Sequence, residues 1–223
     1  SLPGLFEFNH LMIYHHLMVF DERKLILISK NIRKSILTIS NKKKSAHIGS
    51  NLSIVEILVF LYFKKLKHFS KNPKKINRDR FILSKGHACL SLYVILSECG
   101  YFKKTLLNKY SDNGSILMSH VSHKVPGVEF STGSLGHGIN YSVGKAYFAK
   151  KMKKKWQTFV LISDGELNEG STWESFLFSS HHRLNNLTII IDNNKIQSLG
   201  RSKDIININP LKNKLKKLNF KVL

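Results

Sequence analysis

The sequence has few cysteines and no long apolar run. Only Cys89 and Cys99 occur among its 223 residues. Both fall in a segment with helical spacing that follows a predicted strand, which favours two reduced side chains packed in a helix. Reduced cysteines suit a reducing compartment, so a cytoplasmic location is predicted. No apolar run approaches the length of a membrane span, so no membrane partner is predicted.

The sequence also has few acidic residues. Its 14 Asp and Glu against 36 Lys and Arg give a formal net charge of +22. A strongly basic chain is typical of nucleic-acid binders. Here, however, the lysines are scattered without interleaved aromatic residues, and the chain is also rich in Asn and Ile. A general compositional bias explains the charge at least as well, and a basic surface attracts phosphorylated sugars in any case.

The length and the 42% hydrophobic content fit a single α/β domain with a sizeable core. Residues 1–20 are apolar but interrupted by Asn and His, and we assign them no role beyond packing or a partner contact. Residues 21–223 are predicted to form one domain. Within it, helical spacing predicts a helix from Asp21 to Lys44 and another, capped by Ser53 with Glu56 three residues on, running to about Lys67.

Two strands separated by a helix end in polar residues between Thr158 and Gly200. The apolar run 159–162 stops at Ser163-Asp164-Gly165, and the run 187–191 stops at Asp192-Asn193-Asn194. Because parallel strands end at the same edge of a sheet, where open α/β sheets bind ligands, Asp164 and Asn194 are expected to be neighbours.

The two polar strand ends suit a hard cation that holds a diphosphate. Asp164 supplies a carboxylate and Asn194 an amide oxygen, and Mg²⁺ prefers such oxygen ligands. Gly165 lets the backbone approach a phosphate at a helix start. Taken singly, Asp-Gly is also a common turn and Asp-Asn-Asn a common loop.

Histidines and glycines are concentrated in three further segments. Arg80 to Ser84 reads as a strand that ends at Lys85-Gly86-His87, before a helix from Ala88 to Glu98. His47 lies in a predicted loop, residues 45–53. Residues 111–140 form a long irregular stretch that fits an active-site loop, because another helix follows at once.

Four segments, in order along the chain, carry a family resemblance. They are HIGSNLS (47–53), RFILSKGHA (80–88), TGSLGHG (132–138), and SDG (163–165) with Asn194 about thirty residues later. Together they resemble the cofactor domain of transketolases. The resemblance implies an α/β fold with a parallel sheet flanked by helices that binds thiamine diphosphate. Ser163, Ile48 and His137 depart from the glycine, proline and glutamine usual in the family.

The resemblance also implies site residues. Magnesium would be held by Asp164, Asn194 and the backbone carbonyl of Ile196. The histidines that would act on the sugar are His47, His87 and His120, with His123 as a rival to His120. Further cofactor contacts or interface positions are implied for the following residues: His87, Gly133, Ser134, Leu135, Asp164, Gly165, Glu169 and Asn194.

The best match within the family is the N-terminal subunit of a two-subunit transketolase. This implies transfer of a two-carbon ketol unit from a ketose phosphate to an aldose phosphate, as in the pentose phosphate pathway. It also implies dependence on a C-terminal, pyrimidine-binding subunit in an α2β2 heterotetramer. The family's subunit continues beyond Leu223, so the chain is expected to be truncated.

Three alternatives remain open from the sequence. A deoxyxylulose phosphate synthase or the α subunit of a 2-oxo acid dehydrogenase would use the same metal motif, although the run from Glu166 to Trp173 and the His-rich loops disfavour both. A non-catalytic scaffold is compatible with Ser163. Nucleic-acid binding rests on charge alone.

Overall fold

The fold is built on a parallel three-stranded sheet. The computed structural model describes the backbone of residues 5–223 and the side chains of residues 22–223. The strands are β1 (Arg80–Leu83), β2 (Thr158–Ser163) and β3 (Leu187–Asp192), in the order β1-β2-β3. Residues 80–83 pair with 158–161, and residues 158–163 pair with 187–192. The predicted parallel sheet is therefore confirmed, with β2 buried along its whole length.

Helices cover both faces of the sheet, as expected when parallel strands are joined by helical crossovers. Their bounds are α1 (Leu5–Lys43), α2 (Ile48–Leu52), α3 (Val55–Phe60), α4 (Cys89–Glu98), α5 (His137–Lys151), α6 (Gly170–His181), α7 (Ser202–Ile205) and α8 (Leu211–Lys217). A wider helical turn, residues 61–65, extends α3, and a short 3₁₀ segment spans residues 104–109. None of the helices described has an 18-residue stretch apolar enough to cross a membrane.

Alternation along β2 divides the core into two parts. Phe159 and Leu161 belong to one apolar cluster, which includes residues of α1, α3 and α4. Val160 and Ile162 belong to the other, which includes residues of α5, α6 and α8. Successive side chains of a strand point to opposite faces, so a continuous apolar run is required where both faces are covered. Packing on both faces of the sheet therefore holds the carboxyl ends of the strands in place.

The structure corrects several local predictions. Ser53 does not cap a helix: α2 occupies residues 48–52, α3 begins after Ile54, and neither start has a side-chain cap. Glu56 instead forms an ion pair with Arg33, at 2.6 Å.

The first helix starts at Leu5 rather than Asp21, so the unassigned segment 1–20 is largely continuous with it, while residues 1–4 lie outside the described part. The sequence also predicted that a further strand begins at residues 221–223, but the structure shows none there.

A small antiparallel hairpin follows the sheet. Its strands are β4 (Ile196–Gln197) and β5 (Gly200–Arg201). Asn168 donates from Nδ2 to Oε1 of Gln197 at 3.2 Å, which ties the hairpin to the segment after β2. The hairpin therefore lies beside the carboxyl end of the sheet.

Candidate active site

Asp164 and Asn194 follow adjacent strands at the same edge of the sheet. Ser163 and Asp192 are register partners at the ends of β2 and β3, and the amide of Asp164 donates to the carbonyl of Asp192 at 3.2 Å. Asp164 is 3% exposed, and Asn194 is half-buried. The parallel arrangement expected from the sequence thus brings the two side chains to one region.

The oxygen atoms at this edge fit a hard cation. Asp164 accepts hydrogen bonds from the Gly165 amide at 3.0 Å and from the Ser202 hydroxyl, and each carboxylate oxygen keeps further lone-pair capacity. Oδ1 of Asn194 accepts from the Ile196 amide at 3.0 Å, so the residues expected to supply the ligands are linked. Among the described residues no group of three or more His, Cys, Asp or Glu side chains could hold a metal ion.

Three histidines from separate parts of the chain converge. The ring centroids of His47 and His87 are 5.2 Å apart, and those of His47 and His120 are 6.0 Å apart. His47 precedes α2 in the left-handed region, at φ 62°, and His87 follows β1. The structure thus groups the three histidines named from the sequence, while His123 bonds Ser131 instead, at 2.7 Å.

Hydrogen bonds between the loops keep the histidines together. The Tyr93 hydroxyl donates to the His120 carbonyl at 2.8 Å and accepts from the Ser122 amide at 3.0 Å. The Val121 amide donates to the Gly86 carbonyl at 3.2 Å, next to His87. Asn51, in α2, accepts from the Ser91 amide of α4 at 2.9 Å. Helix α4 is therefore the common support of the segments that carry the histidines.

The environment keeps two of these histidines neutral. Burial, reinforced by Lys85, His47 and His120, lowers the pKa of His87 from its usual 6.5 to about 4. Burial, followed by the charge of His47, also lowers the pKa of His120. Neutral imidazoles have both a donor and an acceptor nitrogen, so they can orient hydroxyl groups and accept protons near neutral pH.

The glycine-rich segment 132–138 packs tightly between β1 and His120. The Thr132 hydroxyl donates to the Leu83 carbonyl at 2.6 Å. A Cβ on Gly138 would lie 2.7 Å from the Cα of Ser84, and one on Gly133 would lie 3.3 Å from the His120 ring. Neighbouring protein atoms thus require glycine at position 138 and leave little room for a side chain at position 133.

The remaining residues implied by the resemblance come from the segment before α5, the start of α6 and the hairpin. Ser134 is exposed and Leu135 is half-buried, both just before α5. Glu169 is exposed at the start of α6, with its side chain packed against Gly136. Ile196 is 69% exposed on the hairpin. Of these segments, the one before α5 and the start of α6 are in contact through Gly136 and Glu169.

Sequence reasoning missed the role of Glu166. Its carboxylate is fully buried and accepts from the Ser84 hydroxyl, the Gly136 amide at 3.0 Å and the Ser163 amide at 2.9 Å. Burial raises its pKa, while these donors and Lys85 oppose the shift. One side chain thus joins the ends of β1 and β2 to the glycine-rich segment. An acidic residue two positions after a strand-end Asp was the only signal in the sequence.

A second network missed from the sequence centres on Lys85 and Asp192. Nζ of Lys85 lies 2.5 Å from Oδ2 of Asp192, and both side chains are buried. In the sequence Lys85 appeared only as the residue before Gly86, and Asp192 as part of a polar strand end. Their pairing depends on the neighbouring positions of β1, β2 and β3, which a single sequence does not show.

The parallel sheet covered by helices, with polar side chains at the carboxyl ends of its strands, defines the chain as an α/β cofactor-binding domain. Residues 26–223 match the family described as transketolase, thiamine diphosphate binding domain. The chain therefore belongs to the transketolase family and is a thiamine diphosphate-binding domain. This confirms the resemblance drawn from the four sequence segments.

Relatives and solved structures from other organisms support this membership. The chain is 37% identical over 197 residues to one subunit of apulose-4-phosphate transketolase from Phocaeicola vulgatus, covering 88% of this chain and 70% of that subunit. It is 43% identical over 196 residues to the subunit of the same name from Actinobacillus succinogenes, covering 87% and 71%. The structure of transketolase from Campylobacter jejuni matches with a TM-score of 0.83 and 32% identity, over 87% of this chain and 32% of that one. The chain thus spans about a third of a single-chain transketolase.

Proposed function

We propose that this chain is the cofactor-binding subunit of a two-subunit transketolase. The observation that carries the proposal is the grouping of His47, His87 and His120 beside the strand ends that bear Asp164 and Asn194. The two apulose-4-phosphate transketolase relatives are each named as one subunit of that enzyme, which supports the need for a second subunit. The reaction would be transfer of a two-carbon ketol unit between sugar phosphates.

We infer that residues 21–223 form the cofactor domain and that Mg²⁺ accompanies thiamine diphosphate. Asp164, Asn194 and the carbonyl of Ile196 would hold the metal, because a carboxylate and two neutral oxygens leave coordination positions for phosphate oxygens and water. His87 and Gly165 would contact the diphosphate. Gly133, Ser134 and Leu135 would line the cofactor, with Glu169 directed to the second subunit.

The histidines would act on the donor sugar. When bound, thiamine diphosphate supplies the carbanion chemistry that breaks and forms the carbon–carbon bond. His47 and His120, both exposed, would orient the sugar hydroxyls and exchange protons with them. His87, which is more buried and has a pKa of about 4, would stay neutral as a hydrogen-bonding group.

The basic surface would assist binding of phosphorylated sugars. A formal net charge of +22 attracts anions and raises their encounter rate at low ionic strength. The pentose phosphate pathway is the context we propose, with donor and acceptor defined only as a ketose phosphate and an aldose phosphate. The two free cysteines support a cytoplasmic location, which cell fractionation would test.

Calorimetric titration of thiamine diphosphate tests the binding role. We expect magnesium-dependent binding to the chain, alone or with its co-expressed second subunit, and loss of that binding in Asp164→Ala. Asp112→Ala, in an exposed loop, is the matched control and should bind as the parent does. Absence of magnesium-dependent binding with and without the second subunit would contradict the proposal.

The assembly and the reaction need a separate experiment. The chain is to be co-expressed with a C-terminal, pyrimidine-binding transketolase subunit, and native mass spectrometry would measure the stoichiometry. We expect an α2β2 complex that transfers ketol units, and no transfer by the purified chain. Transfer at comparable rates by the chain alone would overturn the division of roles.

A further inference from the structure

Lys85 is buried to an unusual degree for a lysine. Its side chain is 0% exposed and lies at the carboxyl end of β1, 2.5 Å from the carboxylate of Asp192 at the end of β3. Lysine and aspartate are almost never fully buried unless they are paired. A pair of hydrophobic residues would often serve stability as well, so a buried pair at the edge of a ligand site calls for a second reason.

Asp192 connects three segments of the site. Its Oδ2 atom accepts from Nζ of Lys85, from the Ser53 hydroxyl at 2.6 Å and from Nδ2 of Asn194 at 3.3 Å. Lys85 also donates to the carbonyl of Ser50 at 3.3 Å. The network therefore joins β1 and β3 to the segment after His47.

The chemistry of Asp192 decides which way the Asn194 amide faces. A carboxylate only accepts hydrogen bonds, so it selects the NH₂ end of the amide and turns the oxygen away. That oxygen accepts from the Ile196 amide. A cation requires the oxygen and is repelled by the NH₂ group. The orientation that Asp192 imposes is therefore the one that a magnesium ligand needs.

We propose that Lys85 and Asp192 form a positioning pair that presents the amide oxygen of Asn194 for magnesium binding and fixes the segment after His47. The inference rests on the proposed cofactor role of the chain. Lys85 keeps the carboxylate of Asp192 in place by compensating its buried charge. Residues that orient metal ligands in this way contribute about 10- to 100-fold to metal affinity in other proteins.

Titration of Mg²⁺ into the chain at saturating thiamine diphosphate tests the pair without any activity measurement. In the double variant Lys85→Met/Asp192→Leu both buried charges are absent, so folding has no unpaired charge to accommodate, but the Asn194 side chain loses the acceptor of its NH₂ group and is oriented only by the Ile196 amide. We expect its apparent magnesium affinity to fall about 10-fold or more. An unchanged affinity in the folded variant would overturn the proposal and leave the pair with a structural role only.

The control is a second ion pair, between the half-buried Arg78 and the nearly buried Glu129. Glu129 also lies near Arg80, at the amino end of β1, whereas Lys85 follows the carboxyl end of the same strand. Arg78→Met/Glu129→Leu also takes the acidic neighbour from Arg80, so it should cost stability at least as much while leaving magnesium affinity unchanged. A loss of affinity in this variant equal to that in the Lys85/Asp192 variant would count against a specific positioning role.

Single variants keep the test decisive if the double variant does not fold. Asp192→Ala removes the acceptor of the Asn194 NH₂ group, while Lys85 keeps the Ser50 carbonyl and the Ser53 hydroxyl as hydrogen-bond partners. We expect magnesium affinity to fall in Asp192→Ala and to stay within about threefold of the parent in Arg33→Gln, whose ion pair is exposed. Failure of the parent chain to bind thiamine diphosphate at all would instead contradict the proposed function. Equal affinities in parent and Asp192→Ala would contradict the positioning pair.

Discussion

The imidazole rings of His47 and His87 lie with their centroids 5.2 Å apart, and the ring of His120 is 6.0 Å from that of His47. His87 is fixed to the sheet by its place after β1, whereas His47 and His120 come from segments outside the sheet. The cluster therefore depends on packing of these segments against α4. The protonation of these histidines and their contribution to turnover can be tested in separate experiments.

Substitution of the exposed histidines should lower turnover without lowering cofactor affinity. In the complex with the second subunit, His47→Ala and His120→Ala should each lower kcat by about 10²-fold or more, the usual contribution of a general acid or base. Binding of thiamine diphosphate to the chain should remain as in the parent. Steady-state kinetics and calorimetry measure the two effects.

Two other histidines serve as comparisons for this prediction. His181 lies exposed at the end of α6 and should tolerate alanine without change in kcat. His123, which bonds Ser131, distinguishes the rival assignment. A larger loss of kcat for His123→Ala than for His120→Ala would reverse the roles given to them.

The depressed pKa of His87 predicts a loss of stability in mild acid. The folded chain resists protonation of His87 down to a pKa of about 4, while the unfolded chain protonates it near 6.5. The unfolded state thus binds more protons between these values, so the free energy of unfolding should fall as the pH decreases through this window. His87→Gln should show a shallower fall in denaturant titrations between about pH 7 and about pH 5.

Neighbouring groups affect this pH profile in the parent and the variant alike. Lys85, His47, His120 and Asp192 all face His87, and His120 has a lowered pKa that acts in the same direction. Glu166 acts in the opposite direction, because a raised carboxyl pKa makes the folded state bind more protons. The difference between the parent and His87→Gln isolates the histidine, and parallel profiles would refute the prediction.

Glu166 should be essential for the connection between the sheet and the glycine-rich segment. Glu166→Gln places an NH₂ group among donors that all point at the carboxylate, so one buried donor loses its acceptor. We expect the free energy of unfolding to fall by about 1–3 kcal/mol in urea titrations. Glu174→Gln, exposed on α6, should change it by no more than about 0.5 kcal/mol. Similar values for the two variants would argue against the bridging role.

Two glycines of α5 provide a matched pair for the close approach to β1. A Cβ at Gly138 would lie 2.7 Å from the Cα of Ser84, whereas one at Gly144 would meet nothing within 4 Å. Gly138→Ala should therefore destabilise the chain by about 1–3 kcal/mol through overpacking. Gly144→Ala should stabilise it by up to about 1 kcal/mol, because alanine is the better helix residue. Thermal unfolding measures both changes in stability. Equal effects of the two substitutions would show that the close approach to Ser84 does not restrict the side chain at position 138.

The sequence alone specified the elements whose signal is local. The apolar runs at 159–162 and 187–191 predicted two parallel strands, of which β2 is buried along its whole length and β3 is mostly half-buried. Helical spacing predicted a helix from Ala88 to Glu98, and α4 occupies Cys89–Glu98. Polar residues after the strands predicted that Asp164 and Asn194 share one edge. The family segments added the identity of the cofactor.

Only the tertiary structure determined which distant groups meet. Ser53 matched the pattern of a helix cap, yet its hydroxyl donates to Asp192, because the end of β3 lies beside it in the fold. Lys85 stood in the sequence only in a polar strand end and Glu166 only in the run to Trp173, and both are buried in the structure. A charged residue is stable inside the protein only when its partners are in place, and those partners come from other strands and loops. Local sequence pattern therefore located the strand ends, and long-range packing decided how their side chains are held.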